Sequence, residues 1–537
     1  MSSMLNLNAY NFNSFKSTVG VTKPTSLPSK RLSIWYYNDL HGNTDKMHGV
    51  MEAARNFKNA KKDSAHFVLS AGDNVSGADV AKNDLVLDIM QNAMKVDASA
   101  VGNHEIDASS KGLCECSKNK GIDFIATNVE FDDDSPLSST IKKSMIKEED
   151  GIKYGFIGAM PLDFKNCTKK SVQEDIDVMD EDDTVEALQK EIDNLRKQGV
   201  NRIILLSHMG YEQDKLIASR LDGLDIIIGG HSHSVLEGAK HGENIVMSKS
   251  NEPIVIAQAG ENGKYYGLLD VEFNDLGVLS KVSNQLVSIS SKKSPVIEYV
   301  KKQKLGDSPV IGKISDIDEM PANRRIKPHG WANLIVDSMR SELNSELAFI
   351  NAANIRKVPT EGILTERDVV ESVPMKNRLV RAKVTQKQVV DAIRQACKES
   401  LGKDTGEPGL LFASGLTYKT SDKGELLSME FVDKKGNKTP IDINNPSEKI
   451  TYDAVYDEFT MSSDPGAEYP NLAPKFGYKF YDFDKDKTAI DYISKMSSRE
   501  KLQIIDDKRA EIIKTSKLKQ QSSNMQTFLS LTCPKVS

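Results

Sequence analysis

The stretch RLSIWYYNDLHG, residues 31–42, decides how this chain is read. Leu32, Ile34 and Tyr36 recur at every second position, the period of a β-strand. The apolar run stops at Asn38-Asp39-Leu40-His41-Gly42, a polar segment closed by glycine. Met47, Val50, Met51, Ala54 and Phe57 then return at helical spacing. Strand, polar turn and helix in that order predict a layered α/β unit.

The same grammar repeats downstream. Phe67 to Leu69 leads into Ala71-Gly72-Asp73-Asn74, and Ala98 to Val101 into Gly102-Asn103-His104-Glu105-Ile106-Asp107. Ile203 to Leu206, an unbroken apolar run of the buried-strand type, leads into Ser207-His208-Met209-Gly210. Asp225 to Ile228 leads into Gly229-Gly230-His231-Ser232-His233. Helices are expected over Leu85 to Met94 and along the Val185, Leu188, Ile192 and Leu195 stripe. Ile254 to Ala257 and Tyr266 to Phe273 read as closing strands.

Taken singly, each motif is an ordinary turn holding one satisfied histidine or aspartate. The ordered set is not ordinary. Five strands deliver Asp, Asn and His at their carboxyl ends, the edge where α/β sheets bind ligands. Imidazole and carboxylate without thiolate suit Zn, Mn, Fe, Co or Ni. The candidate ligands are too many for one four-coordinate ion. They suit two divalent ions sharing a carboxylate, the arrangement that clamps a phosphoryl group during in-line displacement.

With 537 residues the chain exceeds a single hydrophobic core. The expected division is a lead-in over residues 1–30, a first domain over 31–288, a Lys/Ser/Pro-rich linker over 289–310, a second domain over 311–514 and a tail over 515–537. Lead-in and tail read as disordered. In the second domain Leu334, Ile335, Met339 and Leu343 mark a helix, and Thr385 with Gln388 has capping-box spacing before another. A net charge of -6 and the lack of a basic stretch argue against a nucleic-acid polymer as partner. Five scattered cysteines read as free thiols in a reducing compartment. There is no run of ~20 apolar residues to cross a bilayer. No export signal is visible, so the expected location is cytoplasmic.

The motifs NDLHG, GDN, GNHEID, SHMG and GGHSH together resemble the calcineurin-like metallophosphoesterases. More narrowly they resemble the 5'-nucleotidase family, which includes 2',3'-cyclic-nucleotide phosphodiesterases and UDP-sugar hydrolases. The resemblance extends into the second domain through the segments from Gly330 to Asp337 and from Asn351 to Arg356. It implies that Asp39, His41 and His233 hold one metal and that Asn103, His208 and His231 hold the other, with Asp73 bridging. His104, paired with Asp107, would stabilise charge on the phosphoryl group or leaving oxygen rather than ligate. The implied substrate is a small phosphate ester, a 5'-nucleotide first, with a cyclic nucleotide, a UDP-sugar or a non-nucleotide ester as alternatives. Arg325, Asn351, Arg356 and Tyr469 would contact it. Catalysis would involve closure of the second domain on the first. Family members are mostly periplasmic or extracellular, against the location expected above.

Two departures weaken the nucleoside pocket. Met375 stands where the family usually has Phe, and the loop before Tyr469 lacks the usual double glycine. The loop after Asn351 has Ala352, Ala353 and Asn354 in place of glycines. One of two base-stacking rings is therefore missing at its expected place, worth ~1–3 kcal/mol of stacking.

Overall fold

The computed structural model describes residues 10–11, 31–60, 64–117, 120–169, 172–274, 276–289, 295–318, 325–401, 409–461, 469–497 and 501–515. The expected lead-in (apart from residues 10–11), most of the tail, Cys533 and the loop before Tyr469 lie outside these residues. The chain divides into two units, Met1–Asp307 and Ser308–Ser537.

Two large facing sheets form the core of the first unit. One contains β1 (Arg31–Tyr37), β2 (Ala65–Ser70) and β3 (Ala98–Ala100), parallel to one another. The other contains β4 (Ile152–Ala159), β5 (Arg202–Ser207) and β6 (Ile226–Gly229), also mutually parallel. Alternation along β1 explains the layering. Leu32, Ile34 and Tyr36 share one core with Phe156, Leu206 and Ile228 of the second sheet. Trp35 and Tyr37 share another with Met47, Val50 and Phe57 of α1 (Met47–Asn59). In β5, Ile203 and Leu205 pack with Leu188, Ile192 and Leu195 of α2 (Glu181–Lys197). Both faces of each sheet are thus covered, which is why its parallel strands are nearly all apolar.

Two local differences from the sequence reading have physical causes. The helix expected from Leu85 begins at Val80, because the Asp79 side chain caps it by accepting from the Lys82 backbone N–H. β4 is an additional strand, its apolar pattern diluted by Gly155 and Gly158. A Cβ at Gly158 would lie 2.0 Å from the Ile125 carbonyl oxygen, so this crossing of the two sheets admits only glycine.

The second unit has its own core around a five-stranded mixed sheet. It includes α3 (Gly330–Glu342), β7 (Leu347–Asn351) and α4 (Gln386–Leu401). The capping box expected before α4 is formed. The Gln388 backbone N–H donates to Thr385 Oγ1, and the Thr385 backbone N–H to Gln388 Oε1, both at 3.1 Å. Cys114, Cys116, Cys167 and Cys397 are free. Among the described residues no helix is long and apolar enough to cross a membrane.

Candidate metal centre

The polar segments after β1, β2, β3, β5 and β6 meet at the carboxyl ends of the two sheets. Backbone bonds tie the first two together: the N–H groups of Asp39, His41 and Gly42 donate to the carbonyls of Gly72, Asp73 and Asn74 at 2.8–3.1 Å. Asp39 accepts from the His231 backbone N–H at 3.0 Å, joining the β1 turn to the β6 turn. A Cβ at Gly102 would sit 2.2 Å from Asp73 Oδ1, so glycine is needed for the third turn to come this close.

Five of the seven candidate ligands, Asp39, His41, Asp73, His231 and His233, have φ between 50 and 71 degrees. Left-handed backbone at a non-glycine residue is sterically costly and clusters at functional sites. Here it turns successive side chains back over the sheet edge.

Four of these side chains converge with His208, whereas the ligand atoms of His231 group with Asp163 and Cys167. Ligand atoms of Asp39, His41 and His233 lie within 4.8 Å of one another, as do those of Asp39, Asp73 and His208. His41 Nε2 and His233 Nε2 are 3.2 Å apart. His233 Nε2 is 3.2 Å from Asp39 Oδ1, and His208 Nε2 is 3.2 Å from Asp73 Oδ2. Asn103 Oδ1 is buried with no hydrogen-bond partner, an orphan acceptor that a cation would satisfy. A nitrogen and oxygen donor set of this kind fits divalent ions.

The field of the site favours positive charge. Burial alone would lower the His208 imidazole, but Asp73 and then Asp39 carry it up to about 10. Burial alone would raise the Asp73 carboxyl, but His208, then His104 and His41, hold it well below the usual carboxylate range. Behind His208, Asp214 accepts a hydrogen bond from the Ser207 hydroxyl, and burial pushes its carboxyl up to about 7.

His104 stands beside this cluster. Its Nδ1 is 2.8 Å from Asp107 Oδ2, which also accepts from the Gly77 backbone N–H at 2.7 Å. Its Nε2 lies 3.9 Å from Asp73 Oδ2.

Three residues that the sequence reading gave no role support the site. Glu105, 1% exposed, accepts from the backbone N–H groups of Asp73, Asn74 and Gly102 and from the Asn74 side chain, at 2.7–3.0 Å. It clamps the β2 and β3 turns together. Glu261 lies 3.3 Å from His233 Nδ1. Asp163 lies 3.1 Å from His231 Nε2. Asp163 follows the end of β4, so the strand-end rule would have found it once β4 was recognised.

The proposed substrate residues lie in the second unit. Asn351 ends β7, is buried, and accepts from the Asn354 side chain. Arg325 and the loop after Asn351 are joined through Leu410, whose N–H donates to the Arg325 carbonyl at 2.7 Å and whose carbonyl accepts from Ala352 N–H at 2.9 Å. The Tyr469 ring is 1% exposed and its hydroxyl donates to the Gly409 carbonyl at 3.1 Å. Arg356 is anchored by its backbone N–H to the Ser372 carbonyl at 2.7 Å. Arg325, the loop after Asn351 and Tyr469 thus gather around Gly409 and Leu410.

Family models match this chain twice: a calcineurin-like phosphoesterase over residues 32–235 and a 5'-nucleotidase C-terminal domain over residues 310–461. The chain belongs to the 5'-nucleotidase family of calcineurin-like phosphoesterases. Within that family it is 26% identical over 422 residues to the trifunctional nucleotide phosphoesterase protein YfkN of Bacillus subtilis, a match covering 68% of this chain and 27% of that one. It is 30% identical over 297 residues to a human 5'-nucleotidase, covering 51% of this chain and 50% of the relative. The match thus spans about a quarter of the Bacillus protein and half of the human one. The fold is shared with a 5'-nucleotidase precursor from Thermus thermophilus, with a TM-score of 0.73 over 90% of this chain and 99% of that one at 22% identity. Members of the calcineurin-like family use divalent metals.

Proposed function

We propose that this chain is a two-metal phosphoesterase that hydrolyses phosphate monoesters, with 5'-nucleotides as its substrate class. The observation that carries the reading is Asp73. This buried carboxylate has His41 Nδ1, of one proposed ligand set, at 3.7 Å and His208 Nε2, of the other, at 3.2 Å. A carboxylate common to two imidazole groups is what a bridging ligand requires.

Asp39, His41 and His233 would hold one ion and Asn103, His208 and His231 the other. Ions held there supply Lewis-acid polarisation of the phosphoryl oxygens and acidify a water. His104 does the remaining proton work. Asp107 fixes its Nδ1 as a donor, leaving Nε2 to face the phosphoryl or leaving oxygen. Asn351, Arg325 and Arg356 would bind the leaving group. Arginine supplies forked donors for phosphate or carboxylate.

One observation favours a second reading, a phosphatase for non-nucleoside esters. Tyr469, the ring expected to stack on a base, is buried and tied to Gly409. Met375 stands at the other ring's place. An assay of AMP, UMP, 2',3'-cyclic AMP, UDP-glucose and p-nitrophenyl phosphate with added Mn or Zn tests both. Preference for AMP or UMP is the expected outcome. Equal turnover of p-nitrophenyl phosphate and nucleotides would favour the second reading, and no metal-dependent turnover of any would overturn both.

A further inference from the structure

The second unit contains a cavity of about 530 Å³ that is lined by none of the proposed substrate residues. Asn344 and Ser345, just before β7, line it, whereas Asn351 ends that strand. The cavity and Asn351 are therefore separated by the length of the strand, ~16 Å. Its volume is in the range of small-molecule sites.

Its polar groups are unequally satisfied. Three carboxylates line it, and all are engaged. Asp337 accepts from Arg509 at 2.7 and 3.0 Å and from the Ser414 hydroxyl. Asp507 also pairs with Arg509 and accepts from the Asn333 side chain at 3.0 Å. Asp433 accepts from the backbone N–H groups of Lys435 and Asn437 and from the Asn437 side chain, all at 2.8 Å.

The two remaining cations differ. Arg340, on α3, donates one hydrogen bond to the Val432 carbonyl at 3.0 Å, and its Nε is buried with no partner. Lys434, at the tip of a hairpin, donates only to the carbonyl and side chain of Asn344. Among the described residues no carboxylate lies within ion-pair distance of either. Formal charges in the cavity cancel, so the sum does not decide the ligand. The unequal satisfaction does, since Arg340 Nε is buried without a partner while each lining carboxylate accepts at least two hydrogen bonds. Both cations retain N–H groups beyond their neutral partners, and they come from different elements. A tetrahedral oxyanion can accept from donors in several directions, whereas a planar carboxylate matches one guanidinium fork. Tyr492 and Leu416 add apolar wall, and the volume exceeds that of a bare oxyanion.

We propose that this cavity is a second ligand site, for a small phosphoryl-bearing anion held by Arg340 and Lys434. It stands independently of the chemistry proposed for the metal centre.

Hydrogen exchange of the metal-loaded full chain tests it, with inorganic phosphate and with phenylphosphonate, which has no ester bond to hydrolyse. Anion at about ten times its Kd should slow opening-limited exchange by up to about tenfold. The expected slowing falls on residues 414–417 and 432–436. Lys434→Ala, an exposed hairpin substitution, should abolish it there and leave any protection of residues 39–42 and 102–107 unchanged. Arg340→Gln should do the same, and Lys434→Ala decides the matter if that variant fails to fold. Protection by both anions, or by either alone, supports the site and distinguishes free phosphate from a phosphorylated organic ligand. Protection confined to the first unit, or unaltered in Lys434→Ala, overturns it.

Discussion

Asp163 holds the Nε2 atom of His231 at 3.1 Å. A carboxylate on the far nitrogen of a ligating histidine fixes its tautomer and raises its basicity. Asp163→Ala should therefore weaken one of the two ions by about 10–100-fold. The ion assigned to Asp39, His41 and His233 should keep its affinity. Metal titration by calorimetry separates the two, and equal weakening of both would remove Asp163 from this role.

Asp73→Ala should lose both ions, because the same carboxylate lies beside His41 of one proposed ligand set and His208 of the other. Elemental analysis after dialysis is the measurement. Two equivalents retained would show that Asp73 does not bridge.

His104→Ala separates binding from chemistry. Its metal content should match the parent, while kcat falls by roughly 10²–10⁴, the contribution of a positioned acid or charge stabiliser. Loss of metal in this variant would make His104 a ligand instead.

His329 makes stability depend on pH. Its ring caps α3 by accepting at Nδ1 from the Ala332 N–H at 3.3 Å, which only the unprotonated nitrogen can do. Burial lowers its pKa from 6.5 to about 4, with Asp318 opposing the shift. Between those values the unfolded chain binds the proton and the folded chain does not. The contribution is thus complete above pH 6.5 and is lost as pH falls towards 4, by about 3 kcal/mol at most. His329→Asn keeps a cap without titrating. Urea unfolding from pH 7 to 4 should show a shallower loss of stability in the variant, and identical slopes would refute the assignment.

Much of the site was legible because its signals are local. Each motif follows its strand within a few residues, and parallel strands buried on both faces must be apolar, so strand ends stand out. The Thr385–Gln388 box was legible for the same reason, since donor and acceptor lie three residues apart. By itself the sequence determined the α/β layering and the order in which the candidate residues follow their strands.

Only the tertiary structure decided what depends on distant packing. β4 was hidden because its glycines answer to the opposing sheet rather than to their neighbours. With it was hidden Asp163, which meets His231 only because β4 and β6 flank β5 in one sheet. The clamp of Glu105 on Asp73 crosses 32 residues, and the left-handed turns at Asp39, His41 and Asp73 carry no compositional mark. Tyr469, expected from the sequence to contact the substrate, is buried in the fold. Spacing records which side chains share a local face. Which distant faces are pressed together is fixed by how the two sheets and their covering helices bury their apolar surfaces, and that sum is not written in any one segment.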